Sequence, residues 1–394
     1  MRYIGNKTKL LPFIGTVLDR LGLANGRAAD PFAGTASVAQ YLKSRGFATD
    51  SSDIMTYSYA FQRAYVQLDC VPAFSRVLRE DRDLAAARRR QDFQASVASR
   101  FHNQTDLFTG ASDAKADGLR DVLVYLDSYL PAVTSFITRE YSADAAAPDE
   151  VARMFFTAAN GSRIDAIRTR LHEWLVGELL SEDEYYLLLA CLLEAADAVA
   201  NTTGVYAAFV KSWQGNALKP LRLADPELVT NTGLACHAHI QDANRFIRQL
   251  GQVDVAYLDP PYNTRQYSSY YHVPELIALG WFDDEPQLRG KTGLIPDEDK
   301  KSPWSVASEC VAAFRDLIAN LEATYVLLSY NSEGIIPAEA VESVFEEFGR
   351  PNTFRRFAVD YARYRSDKDH EQRKYKADRV TEYVFAVELG ERRV

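Results

Sequence analysis

Asp259-Pro260-Pro261-Tyr262 puts a carboxylate, a rigid turn and an aromatic ring into four consecutive residues. The tetrapeptide follows Val253–Leu258, a mostly apolar run that reads as a buried strand. Two prolines cannot continue a central strand, so the backbone must leave the sheet at that point. The carboxylate is thereby delivered to a strand's carboxyl end, where ligands bind in open α/β sheets. A planar base carrying an amino group suits such a site. The acid accepts one amino hydrogen bond, a carbonyl of the turn accepts another, and the ring stacks on the base. An ordinary strand-to-loop turn with a solvated aspartate accounts for the four residues equally well, so the tetrapeptide alone decides nothing.

Other acids stand at the ends of other expected strands. Lys9–Leu21 has helical spacing, Ala28–Pro31 reads as a short strand ending in Asp30, and Gly34 opens a helix over Thr35–Arg45. Phe47–Thr49 reads as a second short strand, followed by Asp50 and Asp53. The turn Asp30-Pro31-Phe32-Ala33-Gly34-Thr35 is built of small residues between a strand and a helix, which lets a ligand approach the backbone. It lacks the lysine of a phosphate-cradling loop. It also lacks the full GxGxxG pattern, because Ala36 stands where a second glycine is expected. The ligand is therefore read as a nucleoside with no phosphate to cradle. An acid after the second strand, Asp53 or Asp50, can hold two ribose hydroxyls, and Asp242, after Leu234–Ile240, can accept from an adenine amino group. Singly each acid reads as a cap or a loop residue. Four of them in chain order at strand ends are hard to explain as caps.

These elements require an α/β scaffold, and the rest of the chain supplies it in two pieces. The 394 residues, 47% hydrophobic and 25% charged, are ordinary for a globular protein of one large or two medium domains. Between Val71 and Leu223 the character becomes Ala-, Leu-, Arg- and Asp-rich. Helical periodicity runs over Ala73–Arg90, Leu119–Tyr129, Ile164–Leu180 and Glu184–Ala200. This predicts a mainly helical insertion over 71–223, flanked by 1–70 and 224–394. Strands are expected again at Val253–Leu258 and Thr324–Ser329, and Phe354–Tyr364 with Val380–Glu388 reads as a hairpin.

Several classes are disfavoured. The amino terminus lacks the apolar core of a signal peptide, and no uncharged apolar run reaches the roughly 18 residues of a membrane span. Four scattered cysteines with no CxxC pair fit a reducing cytoplasm and carry no zinc signature, so no metal is expected. A net charge of −9 argues against indiscriminate nucleic-acid binding. It leaves room for a specific nucleic-acid enzyme with local basic patches. Two candidates exist. Arg88-Arg89-Arg90 sits in a helix-like segment, and the stretch from Arg355 to Arg379, which includes Arg373, Lys374 and Lys376, has tyrosines interleaved. Either also reads as a solvated face.

Three motifs in this order resemble the amino-methylating DNA methyltransferases, specifically the alpha-group N6-adenine enzymes that include the Dam-like methylases. Arg2-Tyr3-Ile4-Gly5-Asn6-Lys7 is similar to the amino-terminal motif that contributes to the S-adenosylmethionine (AdoMet) pocket. Asp30–Gly34 is similar to the AdoMet glycine loop, and Asp259–Tyr262 to the catalytic motif. The continuation Asn263-Thr264-Arg265-Gln266-Tyr267, with Tyr271-His272, resembles most the enzymes paired with restriction endonucleases. The resemblance covers roughly residues 1–60 and 235–390. It implies a Rossmann-like AdoMet-dependent catalytic domain (1–70 and 224–394) with the helical insertion (71–223) as target-recognition domain. It implies AdoMet held by Tyr3, Gly5, Asn6, Lys7, Asp30, Pro31, Phe32, Ala33, Gly34, Asp53 and Asp242, and chemistry at Asp259, Pro260, Pro261 and Tyr262. Double-stranded DNA is the expected partner, touched by Arg265, Tyr267, Arg373, Lys374 and Lys376, and a cognate endonuclease is a further one. Because the target atom is unreachable inside a duplex, the adenine must be flipped out. Two other readings stay open: an RNA adenine methyltransferase, and a non-catalytic AdoMet-binding module.

Overall fold

The computed structural model describes residues 1–101, 114–143, 152–362 and 379–390. It divides into two compact units. One consists of Tyr3–Gln67, Thr232–Tyr271 and Asp297–Val394, the other of Met1–Arg2, Leu68–Asn231 and His272–Pro296.

The first unit is a seven-stranded mixed sheet in an α/β architecture, consistent with an AdoMet methyltransferase fold. Its strands are β1 (Gly26–Asp30), β2 (Phe47–Asp53), β3 (His237–Ile240), β4 (Val253–Leu258), β5 (Ala323–Asn331), β6 (Arg355–Ala362) and β7 (Arg379–Glu388). They lie in the order β3-β2-β1-β4-β5-β7-β6. The strands from β3 to β5 in this row pair in parallel, and β7 pairs antiparallel to both β5 and β6. The chain steps outward from β1 to β2 and β3, then returns to place β4 on the other side. The strand order thus reverses between β1 and β4, and a crevice opens at their carboxyl ends.

β4 shows why the sheet is covered twice. Its side chains alternate, with Ala256 and Leu258 joining the core on one face and Val255 and Tyr257 the core on the other. The first core takes Phe246 and Ile247 from helix Ala243–Gln249, Phe314 and Leu317 from helix Cys310–Asn320, and Val341 and Phe345 from helix Ala338–Phe348. The second takes Ile14, Val17 and Leu18 from helix Leu11–Arg20 and Val38 and Leu42 from helix Ser37–Ser44. A strand buried on both faces is apolar over most of its length, and β4, whose one charged residue Asp254 is exposed, was legible as a run for that reason.

Two expectations need correction. β2 does not stop at Thr49 but runs to Asp53, so Asp50 lies inside the strand and Asp53 is its last residue. The polar stretch Asp50-Ser51-Ser52 hides a strand that pairs with β1 and β3 on either side. The helix expected from Thr35 starts at Ser37, because Gly34 and Ala36 both take left-handed backbone (φ +52° and +60°) and spend residues 34–36 on a turn. For alanine that conformation costs about 1–2 kcal/mol. A hydrogen bond from the Ala36 amide to the Ala33 carbonyl (2.7 Å) closes the turn.

The second unit is mainly helical, and its polar interior serves helix ends. Ser181 and Glu184 form a reciprocal cap on helix Glu182–Val199. The buried Asp165 carboxylate accepts from the Ser135, Ile137 and Thr138 amides at the start of helix Phe136–Tyr141. The buried Arg168 guanidinium donates to the carbonyls of Ile277, Ala278 and Leu279 at the end of helix His272–Leu279. Asp197 accepts from the Arg2 amide at 2.6 Å. These long-range contacts draw residues 1–2 and 272–296, which the sequence does not mark as helical-unit residues, into that unit. The Arg88-Arg89-Arg90 run is largely spent locally: Arg88 pairs with Asp121 at 2.7 Å and Arg90 with Asp92 at 3.2 Å. No helix among the described residues is long and apolar enough to cross a membrane.

Candidate active site

A cleft of about 860 Å³, open to solvent, lies within the sheet unit at the carboxyl ends of β1, β2 and β4. The topology explains the meeting of residues so far apart in sequence. Parallel neighbours end on the same side, so Asp30, Asp53 and Asp259 all arrive at one edge.

Asp30, 1% exposed, ends β1 and accepts from the Phe32 amide. Burial pushes its carboxyl well above the usual range, and the neighbouring Asp259 adds to this. Asp53, at the end of the neighbouring strand β2, organises the glycine loop. Its Oδ2 accepts from the Gly34 amide at 2.8 Å and its Oδ1 from the Met55 amide at 2.9 Å. Burial raises its carboxyl too, opposed by those amides. Gly34 is required twice over: its φ is +52°, and a Cβ there would lie 2.9 Å from Tyr3 Cε1. Gly34→Ala is therefore expected to lower stability by about 1–3 kcal/mol in urea unfolding, the left-handed backbone and the displaced Tyr3 adding together.

The amino-terminal segment forms another wall. Tyr3 stacks on Tyr271 (centroids 4.6 Å apart, 23° between planes), and the Ile4 amide donates to the Tyr271 hydroxyl at 2.7 Å. Gly5, at φ +79°, lies so close to Tyr262 that a Cβ would sit 2.9 Å from its ring. Asn6 reaches Thr35 Oγ1 at 3.4 Å. Lys7 is buried, its ammonium donating to the Tyr262 hydroxyl, which in turn donates to Asp259 Oδ1. Asp259 itself is held up to about 6 by burial, with Lys7 and the Tyr262 hydroxyl pulling it down.

Tyr3, Gly5, Asn6, Lys7, Asp30, Pro31, Phe32, Ala33, Gly34, Asp53 and Asp242 all line this cleft together with Asp259, Pro261, Tyr262 and Tyr267. Pro260 is buried and is not among the lining residues. Asp242 also caps helix Ala243–Gln249, accepting from the Asn244 and Arg245 amides, so both the capping and the lining reading hold for it. Asp50 does not line the cleft; it is occupied by Arg27 and His237, at 3.2 and 2.9 Å. Arg265 is exposed and lies over the Tyr270 ring, outside the cleft lining. Arg373, Lys374 and Lys376 lie outside the described residues. Among the described residues no group of acids, histidines or cysteines is arranged to hold a metal ion.

One further wall is unexpected, the segment carrying Lys300, Ser302 and Ser305. Gln266 pins it by a reciprocal pair: its amide donates to the Ser302 carbonyl (3.1 Å) and its side-chain oxygen accepts from the Ser302 amide (2.9 Å). Lys300 reaches the Ile54 carbonyl at 2.9 Å, one residue beyond Asp53. No motif marks these residues. The clue that could have found them is the run Lys300–Ser305 itself, polar but interrupted by Trp304, whose indole is buried against Phe32.

A model of the D12 class of N6 adenine-specific DNA methyltransferases matches residues 3–344. The chain belongs to this class. The resemblance to the N6-adenine DNA methyltransferases is thereby borne out. Relatives agree with it. Over 391 residues this methyltransferase is 33% identical to the type II methyltransferase M.NlaIII of Neisseria lactamica, covering 98% of this chain and 99% of that protein. It is 32% identical over 391 residues to the type II methyltransferase M.FokI of Planomicrobium okeanokoites, covering 98% of this chain and 52% of that protein. It is 31% identical over 367 residues to the modification methylase StsI of Streptococcus sanguinis, covering 93% of this chain and 49% of that protein. The chain thus spans about half the length of the last two.

Proposed function

We propose that this methyltransferase moves the methyl group of AdoMet to the N6 amino group of an adenine flipped out of duplex DNA, as the modification partner of a type II restriction–modification pair. The observation that carries the reading is the convergence of the strand-end acids Asp30, Asp53, Asp242 and Asp259 on one cleft. AdoMet supplies an electrophilic methyl on a positively charged sulfonium. A cleft whose acids Asp30, Asp53 and Asp259 are raised by burial favours a ligand that brings positive charge with it. The lack of a P-loop lysine beside the Asp30–Gly34 turn fits a nucleoside without phosphates.

In this reading Asp53 accepts from ribose hydroxyls, the Asp30 loop packs on the nucleoside, and Tyr3, Gly5 and Asn6 close the pocket. The adenine amino group is a poor nucleophile because its lone pair is delocalised into the ring. Asp259 accepts one amino hydrogen bond and the Pro260 carbonyl another, which draws the lone pair out of conjugation. Tyr262 and Tyr267 hold the base by ring contact. Orientation and preorganised acceptors do the work, with no covalent enzyme intermediate. The helical unit reads the target sequence, and the basic stretch containing Arg373, Lys374 and Lys376, with Arg265, contacts phosphate.

The test is methylation of plasmid DNA with AdoMet, followed by modified-base sequencing. N6-methyladenine confined to one short recurring sequence is expected. Incorporation into RNA but not plasmid DNA, or no incorporation at all, overturns the reading. Neutralising Arg373, Lys374 and Lys376 together is expected to weaken DNA binding and to flatten its salt dependence by up to about three counterions. An unchanged salt slope would remove that stretch from the interface.

A further inference from the structure

Lys7 has a neighbourhood that a cofactor contact does not explain. Its ammonium, on a side chain 3% exposed, lies 3.4 Å from Asp259 Oδ1 and 3.5 Å from Glu382 Oε2. It also donates to the Tyr262 hydroxyl, and it sits 4.6 Å from the centroid of that ring. The two carboxylates are themselves mostly withdrawn from water, at 16% and 12% exposure. Glu382 comes from the other end of the chain. It sits near the start of β7, opposite Asn331 at the end of β5. Because β7 runs antiparallel to β5, its early residues reach the edge where the parallel strands end. A buried ion cluster of this kind is a poor source of stability, since desolvation offsets most of the attraction. Its place beside the tetrapeptide gives it another use.

We propose that Lys7 and Glu382 are positioning residues for Asp259: the Lys7 ammonium, shared between the two carboxylates, fixes the orientation of Asp259 and keeps it an ionised acceptor for the amino group. This rests on the reading of Asp259 as the amino-group acceptor. Two carboxylates around one ammonium leave the cluster with a net negative charge, so Asp259 stays a strong acceptor. The Tyr262 hydroxyl, accepting from Lys7 and donating to Asp259, is the rigid link between them.

The charges around Asp259 set the sign of the test. Lys7 favours its ionised form, while burial and Glu382 oppose it. Asp30 is the other acid that it influences. The phenols coupled to it, Tyr257, Tyr262, Tyr267 and Tyr330, are all pushed up and stay neutral across the working range. Single-turnover methyl transfer, measured from pH 5 to 9 with saturating AdoMet and plasmid DNA, should lose rate below about 6 as Asp259 takes up a proton. Lys7→Met should move that limb up by about one pH unit and so cut the rate at pH 7 about twofold and at pH 6 about fivefold, without weakening AdoMet binding in calorimetry. Glu382→Gln should move the limb down, and Lys7→Arg should return it towards the parent.

Opposite shifts from Lys7→Met and Glu382→Gln support the proposal, since a merely structural role lowers the rate at every pH and moves no limb. Parallel losses without a shift overturn it, as does weakened AdoMet binding by Lys7→Met with the limb unmoved. If Lys7→Met does not fold, the near-isosteric Glu382→Gln decides alone, and an unmoved limb there overturns the proposal. Asp259→Ala separates the two levels. Retained transfer sinks the acceptor reading and this inference with it, whereas a dead Asp259→Ala beside unmoved limbs sinks only the role of Lys7 and Glu382.

Discussion

Asp259→Ala is expected to lower methyl transfer by at least ~10²–10³-fold while leaving AdoMet bound, the size seen when one preorganised polar partner of a reacting group is removed. The expectation follows from position. Asp259 stands at the end of β4 beside Asp30, yet its contacts run to Tyr262 and Lys7 and not to the glycine loop. Its loss should therefore spare the backbone turn that Asp53 holds. Labelled-methyl transfer to plasmid DNA and AdoMet calorimetry read the two effects separately. Undiminished transfer removes Asp259 from the chemistry; loss of AdoMet binding in step with transfer makes it a cofactor residue. Asp259→Asn sharpens the point. The amide oxygen can still accept from an amino group, but the charge is gone, so transfer should be partly kept and the acid limb near pH 6 should disappear. The sign is fixed by the acceptor role. Asp259 works ionised, so its raised carboxyl costs activity as the pH falls through about 6, not as it rises.

Why some of this was legible and some was not has physical reasons. β4 could be read to the residue because a strand buried on both faces is apolar over most of its length, here everywhere but the exposed Asp254, and two prolines end it. β2 could be read only to Thr49 because its second half is Asp-Ser-Ser-Asp, polar residues whose side chains find partners in β3 and its connections, as Ser52 does with the Gln241 carbonyl. The left-handed turn at Gly34–Ala36 follows from no propensity, since alanine there is held by the loop around it. Glu382 and Lys300 were out of reach for a different reason. One arrives at the cleft through an antiparallel reversal and the other through a segment pinned by Gln266, and neither pairing leaves a local pattern. The same holds for residues 272–296. They follow the tetrapeptide closely in sequence, yet Arg168 and Tyr141 tie them into the helical unit. Motif order revealed the chemistry, whereas long-range side-chain pairing decided which residues share a wall with it.

Asp53 carries the second large effect, and separating its two duties is the harder problem. In the proposed complex it accepts from the ribose hydroxyls, and hydrogen bonds to a charged acceptor contribute about 1.5–3 kcal/mol each. Asp53→Ala should thus raise the AdoMet Kd by ~10²-fold or more. The same carboxylate, however, holds the Gly34 and Met55 amides on its two oxygens, so the variant also leaves two amides without their partner and loosens the loop. Asparagine cannot repair this, because its single oxygen meets only one of the amides and its NH₂ faces the other. Weakened binding alone would therefore fit either duty. A cycle with the ligand separates them. The parent should lose about tenfold or more in affinity when the 2′-hydroxyl of AdoMet is removed, whereas Asp53→Ala should bind AdoMet and its 2′-deoxy analogue almost equally. If the deoxy penalty is the same in both proteins, Asp53 acts on the loop and not on the ribose. In that case its wide hydrogen-bond network, anchored at Gly34, is the whole of its contribution.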